Sequence, residues 1–259
     1  MSFLQKHLKY KDLFFNLVSR DIKLKYRRSV LGYLWTILNP LLTLIVMTLV
    51  FMHMFRFQIE NFPVYLITGS LLFGFMQIST SRALGSILEN ASLLKKTFVP
   101  KYIFTLSVVT SELINLIFSF LALLVVILVT NVPFTWYFLL MFVPLIQLYV
   151  FSLGIGLFLA QAAVFFRDIQ YIWSVLCTAW LYLSAIFYPI GSLPDSLRWV
   201  ITKFNPMYIY ITAFRGCILH GSIPLDSYNF TIGAIIAVVA LIFGALTFNM
   251  NKNKFILRF

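Results

Sequence analysis

The chain has 259 residues, 61% of them hydrophobic, and a mean hydropathy of +0.93, which excludes an ordinary soluble domain. Its formal net charge of +12 comes from 20 Lys and Arg against 8 Asp and Glu. The basic residues flank apolar stretches and form no domain of their own, so the excess reads as membrane topology and contact with anionic lipid rather than as a nucleic-acid-binding surface.

Residues 1–30 form a basic arm. Leu4, Leu8, Phe15, Val18 and Ile22 recur at helical spacing with Lys and Arg between them, so the arm is predicted to be an amphipathic helix in the cytoplasmic interface. The plainer reading is a solvated basic tail. The remainder, 31–259, reads as one all-α transmembrane domain. A hydrocarbon core takes about 20 apolar residues per helix. Charge-free runs fill 29–55, 61–81, 113–166, 169–194 and 227–251, and Asn131-Val132-Pro133 divides the third because Pro133 cannot donate to a helix. Six spans are expected, near 31–55, 62–86, 103–130, 135–164, 169–189 and 228–250. An even number puts both termini on one side. Sixteen of the twenty basic residues, counting Arg82 at the last turn of the second span, fall in the arm, the second and fourth connections and the tail, which places those parts in the cytoplasm. No small-residue cleavage site follows the first apolar run, so no cleaved signal peptide is expected.

The connection 89–101 carries Leu93, Leu94 and Phe98 among Lys95, Lys96 and Lys101, the composition of a short helix able to insert into a partner. Its plainer reading is the basic end of two spans. Glu112, about ten residues into the third span, needs a polar partner, and Asn115 stands one turn on. A cross-helix hydrogen bond suits it better than a proton relay, which would take several such groups. Ser152, Gly156 and Ala160 form a small-residue stripe for close helix packing. Arg167-Asp168 marks the turn into the fifth span. That span is crowded with aromatics: Trp173, Trp180 and Tyr188 lie seven and eight residues apart and so share a face, joined by Tyr182 and Phe187. Aromatic faces suit the C–H faces of sugars, although belt and core packing use the same residues. The stretch 195–226 is too polar to span. It is predicted to be two short helices divided at Asn205-Pro206 on the outer face.

The chain has no phosphate-binding loop, since no glycine precedes a lysine. It has no His-Glu-x-x-His, no nucleophile elbow and no cysteine spacing for a metal. It is therefore expected to be no enzyme and to bind no cofactor, with energy supplied by another subunit or an ion gradient. No internal repeat of the secondary-transporter kind is visible.

Three segments taken together resemble a known family. They are Arg20-Asp21-Ile22-Lys23-Leu24-Lys25-Tyr26-Arg27-Arg28-Ser29 running into Leu31-Gly32-Tyr33-Leu34-Trp35 and Asn39-Pro40; Phe166-Arg167-Asp168-Ile169; and Tyr188-Pro189, Leu193-Pro194, Asn205-Pro206 and Arg215. The pattern is similar to the membrane subunit of ABC-2 type polysaccharide exporters, which move O-antigen, teichoic acid and related polymers. The resemblance implies a homodimer working with two copies of a separate ABC ATPase, which carries the ATP and Mg. It also implies a polymer linked to polyprenyl (di)phosphate. The channel would be lined by the first and fifth spans, which assigns it Trp35, Trp173, Trp180, Tyr182, Phe187 and Tyr188. Arg27, Arg28, Arg167 and Asp168 would form the inner gate and hold the lipid diphosphate. Leu93, Leu94 and Phe98 would couple to the ATPase, and Trp199, Asn205, Pro206 and Arg215 would form the outer gate. Export of a drug or small lipid by the same architecture is the alternative. A membrane-embedded glycolipid enzyme is a third reading, with Asp168 and Glu89 a poor carboxylate pair for it.

Overall fold

The computed structural model describes residues 10–27, 29–54, 59–96, 99–220, 223 and 225–251. Ten α-helices are found among them: α1 (Lys11–Tyr26), α2 (Trp35–Met54), α3 (Phe62–Gly85), α4 (Ala91–Lys96), α5 (Tyr102–Thr130), α6 (Phe142–Phe165), α7 (Ile169–Tyr182), α8 (Asp195–Phe204), α9 (Pro206–Ile218) and α10 (Ser227–Asn251). Short 3-10 turns at Gly32–Leu34, Trp136–Met141 and Ile190–Ser192 lead into α2, α6 and α8.

Five segments among the described residues are long and apolar enough to cross a membrane: Gly32–Phe51, Phe62–Gly85, Tyr102–Thr130, Trp136–Phe165 and Ser227–Asn251. The division at 131–133 is where the proline places it. Asn131 adopts a left-handed conformation (φ 55°) and its N–H caps α5 on the carbonyls of Ile127 and Leu128. The fifth expected span, 169–189, departs from expectation. Its helix has only 14 residues, about 21 Å at 1.5 Å per residue, and ends at Tyr182. The chain goes on without regular helix through Ala185, which is left-handed at φ 47°.

α3 is the hub, buried on most of its length against α5, α6 and α7. α6 and α10 pair most closely of all. A Cβ on Gly154 would collide with the Ala240 backbone, and one on Gly244 with the Gly154 carbonyl. Gly156 faces Ala83, Val109 and Thr105 on α3 and α5. The small-residue stripe of α6 thus packs against one side of the bundle, and Gly154 lets α10 approach on the other.

α1 runs alongside the basal turns of α5. Leu17 packs with Ile103 and Phe104, while Lys25 and Tyr26 reach Glu112 and Asn115 further up. Its inward face is Leu13, Phe14, Leu17 and Val18. Phe15, expected as an anchor, points outward at 56% exposure, and Leu4 and Leu8 lie outside the described residues. α5 is about 43 Å long, well beyond a hydrocarbon core of about 30 Å. Its exposed apolar surface begins only at Ile117. α1 therefore covers turns that need not lie in hydrocarbon.

Candidate functional site

α7 runs antiparallel to α3. Near its start the Trp173 indole N–H donates to Thr80 Oγ1 at 3.1 Å. Just past its end, the carbonyls of Ala185 and Tyr188 accept from the Tyr65 hydroxyl at 2.9 and 3.0 Å. Thr80 and Tyr65 stand fifteen residues apart on α3, about 22 Å. The segment 173–188 thus runs alongside about 22 Å of α3, helical as far as Tyr182 and bare backbone beyond it. Such backbone is stable away from water only if protein groups satisfy it.

Arg215 does so. The side chain is 1% exposed and donates from Nε and Nη2 to the Tyr65 carbonyl (3.1 and 2.8 Å), from Nη1 to the Ala185 carbonyl (3.1 Å) and from Nη2 to the Ile186 carbonyl (3.3 Å). Its guanidinium lies 3.4 Å from the centre of the Tyr65 ring, a stacked cation–π contact. The planar fork reaches three carbonyls at once, which an ammonium on a flexible stem does not match. Gly69 leaves the room: a Cβ there would lie 2.6 Å from Arg215 Nη2.

Asn205 performs a second such task. Its Oδ1 caps α9 by accepting the N–H groups of Met207 and Tyr208 and also accepts the Trp180 indole N–H at 2.7 Å. Its Nδ2 donates to the Leu183 carbonyl at 2.8 Å. Pro206 follows at the first helical position, where its missing N–H costs nothing. Asn205, Pro206 and Arg215 are thus brought together around the end of α7. Trp199 is apart from them, 58% exposed on α8 with its ring edge-on to Phe204.

Trp173 and Trp180 share one face of α7, as their spacing predicts, but that face turns into the protomer. Trp173 is 8% exposed, Trp180 is half-buried, and the rings meet edge to face at 6.4 Å. Phe187 is buried and stacked on Phe51 of α2 at 5.2 Å. The Tyr188 hydroxyl donates to the Tyr182 carbonyl. Of the aromatics assigned to the path on this segment, only Tyr182 is well exposed, at 61%. It belongs to a different row. Tyr171, Ser174, Thr178 and Tyr182, spaced by three, four and four residues, share one exposed face of α7. This row of hydroxyls at helical spacing was present in the sequence and was hidden by the larger tryptophans.

A cleft of about 520 Å3 opens at the basal end between α1, α2, α3 and α5. Trp35 lines it with Thr36, Asn39 and Thr43 on α2, and Ser70 and Ser119 face them. Pro40 leaves the Thr36 carbonyl without its helical donor, which adds an acceptor to this wall. A charged group built on Glu112 closes one end of the cleft. Glu112 is 3% exposed and accepts from Asn115 at 3.1 Å, as expected, but also from Lys25 at 2.9 Å and from Arg82. Burial, and then the charge of Glu112, push the neighbouring Tyr26 hydroxyl up to about 12.

Arg27, Arg167 and Asp168 are exposed, and Arg28 lies outside the described residues. Leu93 and Leu94 are half-buried and pack inward, onto Leu17, Ile103 and Phe104 and, for Leu94, also onto Ile87 and Phe248. Phe98 lies outside the described residues. What that region turns outward is Leu88, Glu89 and Ser92. Arg20 joins it to α1 through Asn90 at 3.1 Å.

Residues 12–219 match the model of the ABC-2 type transporter family. The chain is 33% identical over 248 residues to the O-antigen export system permease protein RfbA of Myxococcus xanthus, covering 95% of each. It is 29% identical over 252 residues to the protein of the same name from Klebsiella pneumoniae, covering 94% of this chain and 93% of that one. It is 28% identical over 204 residues to the capsule polysaccharide export inner-membrane protein CtrC of Neisseria meningitidis serogroup A, covering 76% of each. With five helices able to cross a bilayer and a family match running from α1 to the end of α9, the chain belongs to the ABC-2 type transporter family of membrane proteins.

Proposed function

We propose that this chain is the channel-forming permease subunit of an ATP-driven exporter. It moves a lipid-linked surface polysaccharide, such as O-antigen, capsule polymer or teichoic acid, from the cytoplasm to the outer face of the plasma membrane. The observation that carries this reading is the near full-length similarity to permeases named for O-antigen export. Relatives named for capsule polysaccharide and polysialic acid transport favour it over the drug or small-lipid alternative.

The architecture supports a homodimer with the conduit between two copies. α2 buries little of itself in the protomer, and α7 exposes all but one face. Two such walls facing their symmetry mates would enclose a path bearing Tyr171, Ser174, Thr178 and Tyr182. Hydroxyls and tyrosine edges offer many interchangeable hydrogen bonds, which suits a polymer that must be held weakly enough to slide. The break after α7, tied down by Arg215, Tyr65 and Asn205, and the α8–α9 pair would form the outer gate. Arg27, Arg28, Arg167 and Asp168 would form the inner gate, the arginines receiving the polyprenyl (di)phosphate, a task for which Arg suits phosphate better than Lys. ATP and Mg belong to a separate ABC ATPase, two copies per dimer. It would dock on α1 and the outward side of the α4 region. Membrane lipids surround the remainder, and no nucleic acid is involved. Both termini and the basic end would face the cytoplasm, the side the charge distribution selects.

Depletion of the protein in its host tests the reading. A lipid-linked polysaccharide should accumulate on the cytoplasmic side while the cell surface loses the same polymer. Unchanged surface polymer, with a small lipid or drug retained instead, would overturn it.

A further inference from the structure

At the end of the protomer away from α1 and α4, a second cleft of about 620 Å3 lies apart from the α7 hydroxyl face. Its walls come from the approach to α3, from α8 and α9, and from the start of α10. The volume is that of ordinary small-molecule sites. Its charged groups set it apart from the apolar bundle. Glu60, Asp226 and Lys203 all line it, and none takes part in an ion pair among the described residues. Arg215 at its inner wall is already committed to backbone carbonyls.

The remaining lining is aromatic and amide. Asp226 is held in place because one carboxylate oxygen accepts the Tyr228 N–H at 2.9 Å, which leaves the other oxygen for a ligand. The Lys203 ammonium lies 4.2 Å from the centre of the Tyr228 ring, fixing that ring at the rim. Asn229 is 7% exposed and lines the same space. Carboxylate oxygens accept from vicinal hydroxyls, an amide both donates and accepts, and a tyrosine face covers the C–H surface of a pyranose ring. With Arg215 counted, two carboxylates face two cations, so the cleft has no net positive charge to draw an anionic headgroup. The density of charge argues against an acyl chain.

We infer that this cleft is a saccharide-binding vestibule that holds a short segment of the polymer after it leaves the conduit. The inference rests on the reading of the chain as a polysaccharide permease. A weak foothold outside the gate would bias the chain against sliding back between strokes, with Glu60 and Asp226 as hydroxyl acceptors and Tyr228 as the platform.

The test uses the permease with its ATPase in lipid nanodiscs. The probe is the set of oligosaccharides released by mild acid from the host's own surface polysaccharide, and binding is read by saturation-transfer NMR. Wild type should transfer saturation to the sugar ring protons. Tyr228→Ala and the pair Glu60→Gln/Asp226→Asn should weaken binding about tenfold. Asn keeps the acceptor that caps α10, so the paired variant folds. Leu246→Ala, on the exposed side of α10 at the end away from the cleft, should bind the probe as wild type does. Equal binding in wild type and both vestibule variants, or no binding by a preparation that exports polymer, would overturn the vestibule and leave the export reading standing. Absence of any lipid-linked polymer on depletion would remove both.

Discussion

Lys25 Nζ stands 2.9 Å from Glu112 Oε2, joining the last turn of α1 to the interior of α5 across 87 residues of sequence. Arg82 on α3 pairs with the other carboxylate oxygen, so one buried Glu binds three helices. The two cations are each about one-third exposed and Glu112 is 3% exposed. Losing one cation leaves the other in place, so Lys25→Ala should cost about 1 kcal/mol or less. Lys25→Ala with Arg82→Ala strands the carboxylate and should cost about 3–5 kcal/mol. Glu112→Gln should be milder than the double variant because no charge is left buried. Thermal unfolding in nanodiscs measures the order, and tryptic cleavage at Arg20 and Lys23 reports release of α1. A double variant no worse than Lys25→Ala would mean that the triad does not hold α1.

Tyr26 gives the same junction a pH signature. Its hydroxyl donates to Asn115 Oδ1 at 3.3 Å, and burial followed by the charge of Glu112 raises it from 10.0 to about 12. Between those values the folded protein keeps a proton that the unfolded chain has lost, so stability falls as pH rises. The contribution is complete below pH 10 and is lost on the way to pH 12. Tyr26→Phe should flatten that part of the stability profile without altering it at pH 8 by more than about 1 kcal/mol. A variant with the wild-type slope between pH 10 and 12 would assign the effect elsewhere.

The clamp on the broken segment makes a sharper prediction. Arg215→Ala leaves the carbonyls of Tyr65, Ala185 and Ile186 short of donors in a buried place, a loss on the order of 3 kcal/mol or more. Arg215→Lys keeps the charge but loses the fork and the stack on Tyr65, and should fall between alanine and wild type. Gly69→Ala should act in the same direction by displacing the guanidinium. Unfolding temperature and protein level in membranes give the ranking. A lysine variant as stable as wild type would show that the guanidinium fork carries nothing beyond charge.

Much of this architecture could be read from local pattern, and the part that could not has a common cause. Span limits followed from apolar length and from Pro133, because both act on the chain where they occur. The partner Asn115 of Glu112 was within one helical turn, whereas Lys25 and Arg82 lie 87 and 30 residues away and had been assigned only to topology. The end of α7 was invisible for the same reason. Nothing between Ile169 and Tyr188 is a glycine or proline, and the run carries no charged residue. The break at Leu183 is imposed by Arg215, Tyr65 and Asn205, which supply from other helices the hydrogen bonds a continuing helix would have made. Seven-residue spacing placed Trp173 and Trp180 on one face, but periodicity says which residues share a face and not which way the face points.

Orientation of that face decides what a mutation in α7 should do. Trp180 fills space against Phe151 and Trp173 and bonds to Asn205. Trp180→Ala should therefore lower protein stability by about 3–5 kcal/mol and reduce the amount in the membrane. Any export defect should track that amount. Tyr171 and Tyr182 are 67% and 61% exposed, so Tyr171→Phe and Tyr182→Phe keep the ring and its bulk while removing the hydroxyls. Combined with Thr178→Val, they should leave protein level, dimer assembly and basal ATP hydrolysis near wild type and slow polymer export several-fold. Export per molecule of permease, measured against basal ATP hydrolysis, separates the two faces. If the hydroxyl-free triple variant exports at the wild-type rate while Trp180→Phe, which restores the bulk, does not, the path runs along the tryptophan side and the protomer must open to admit it.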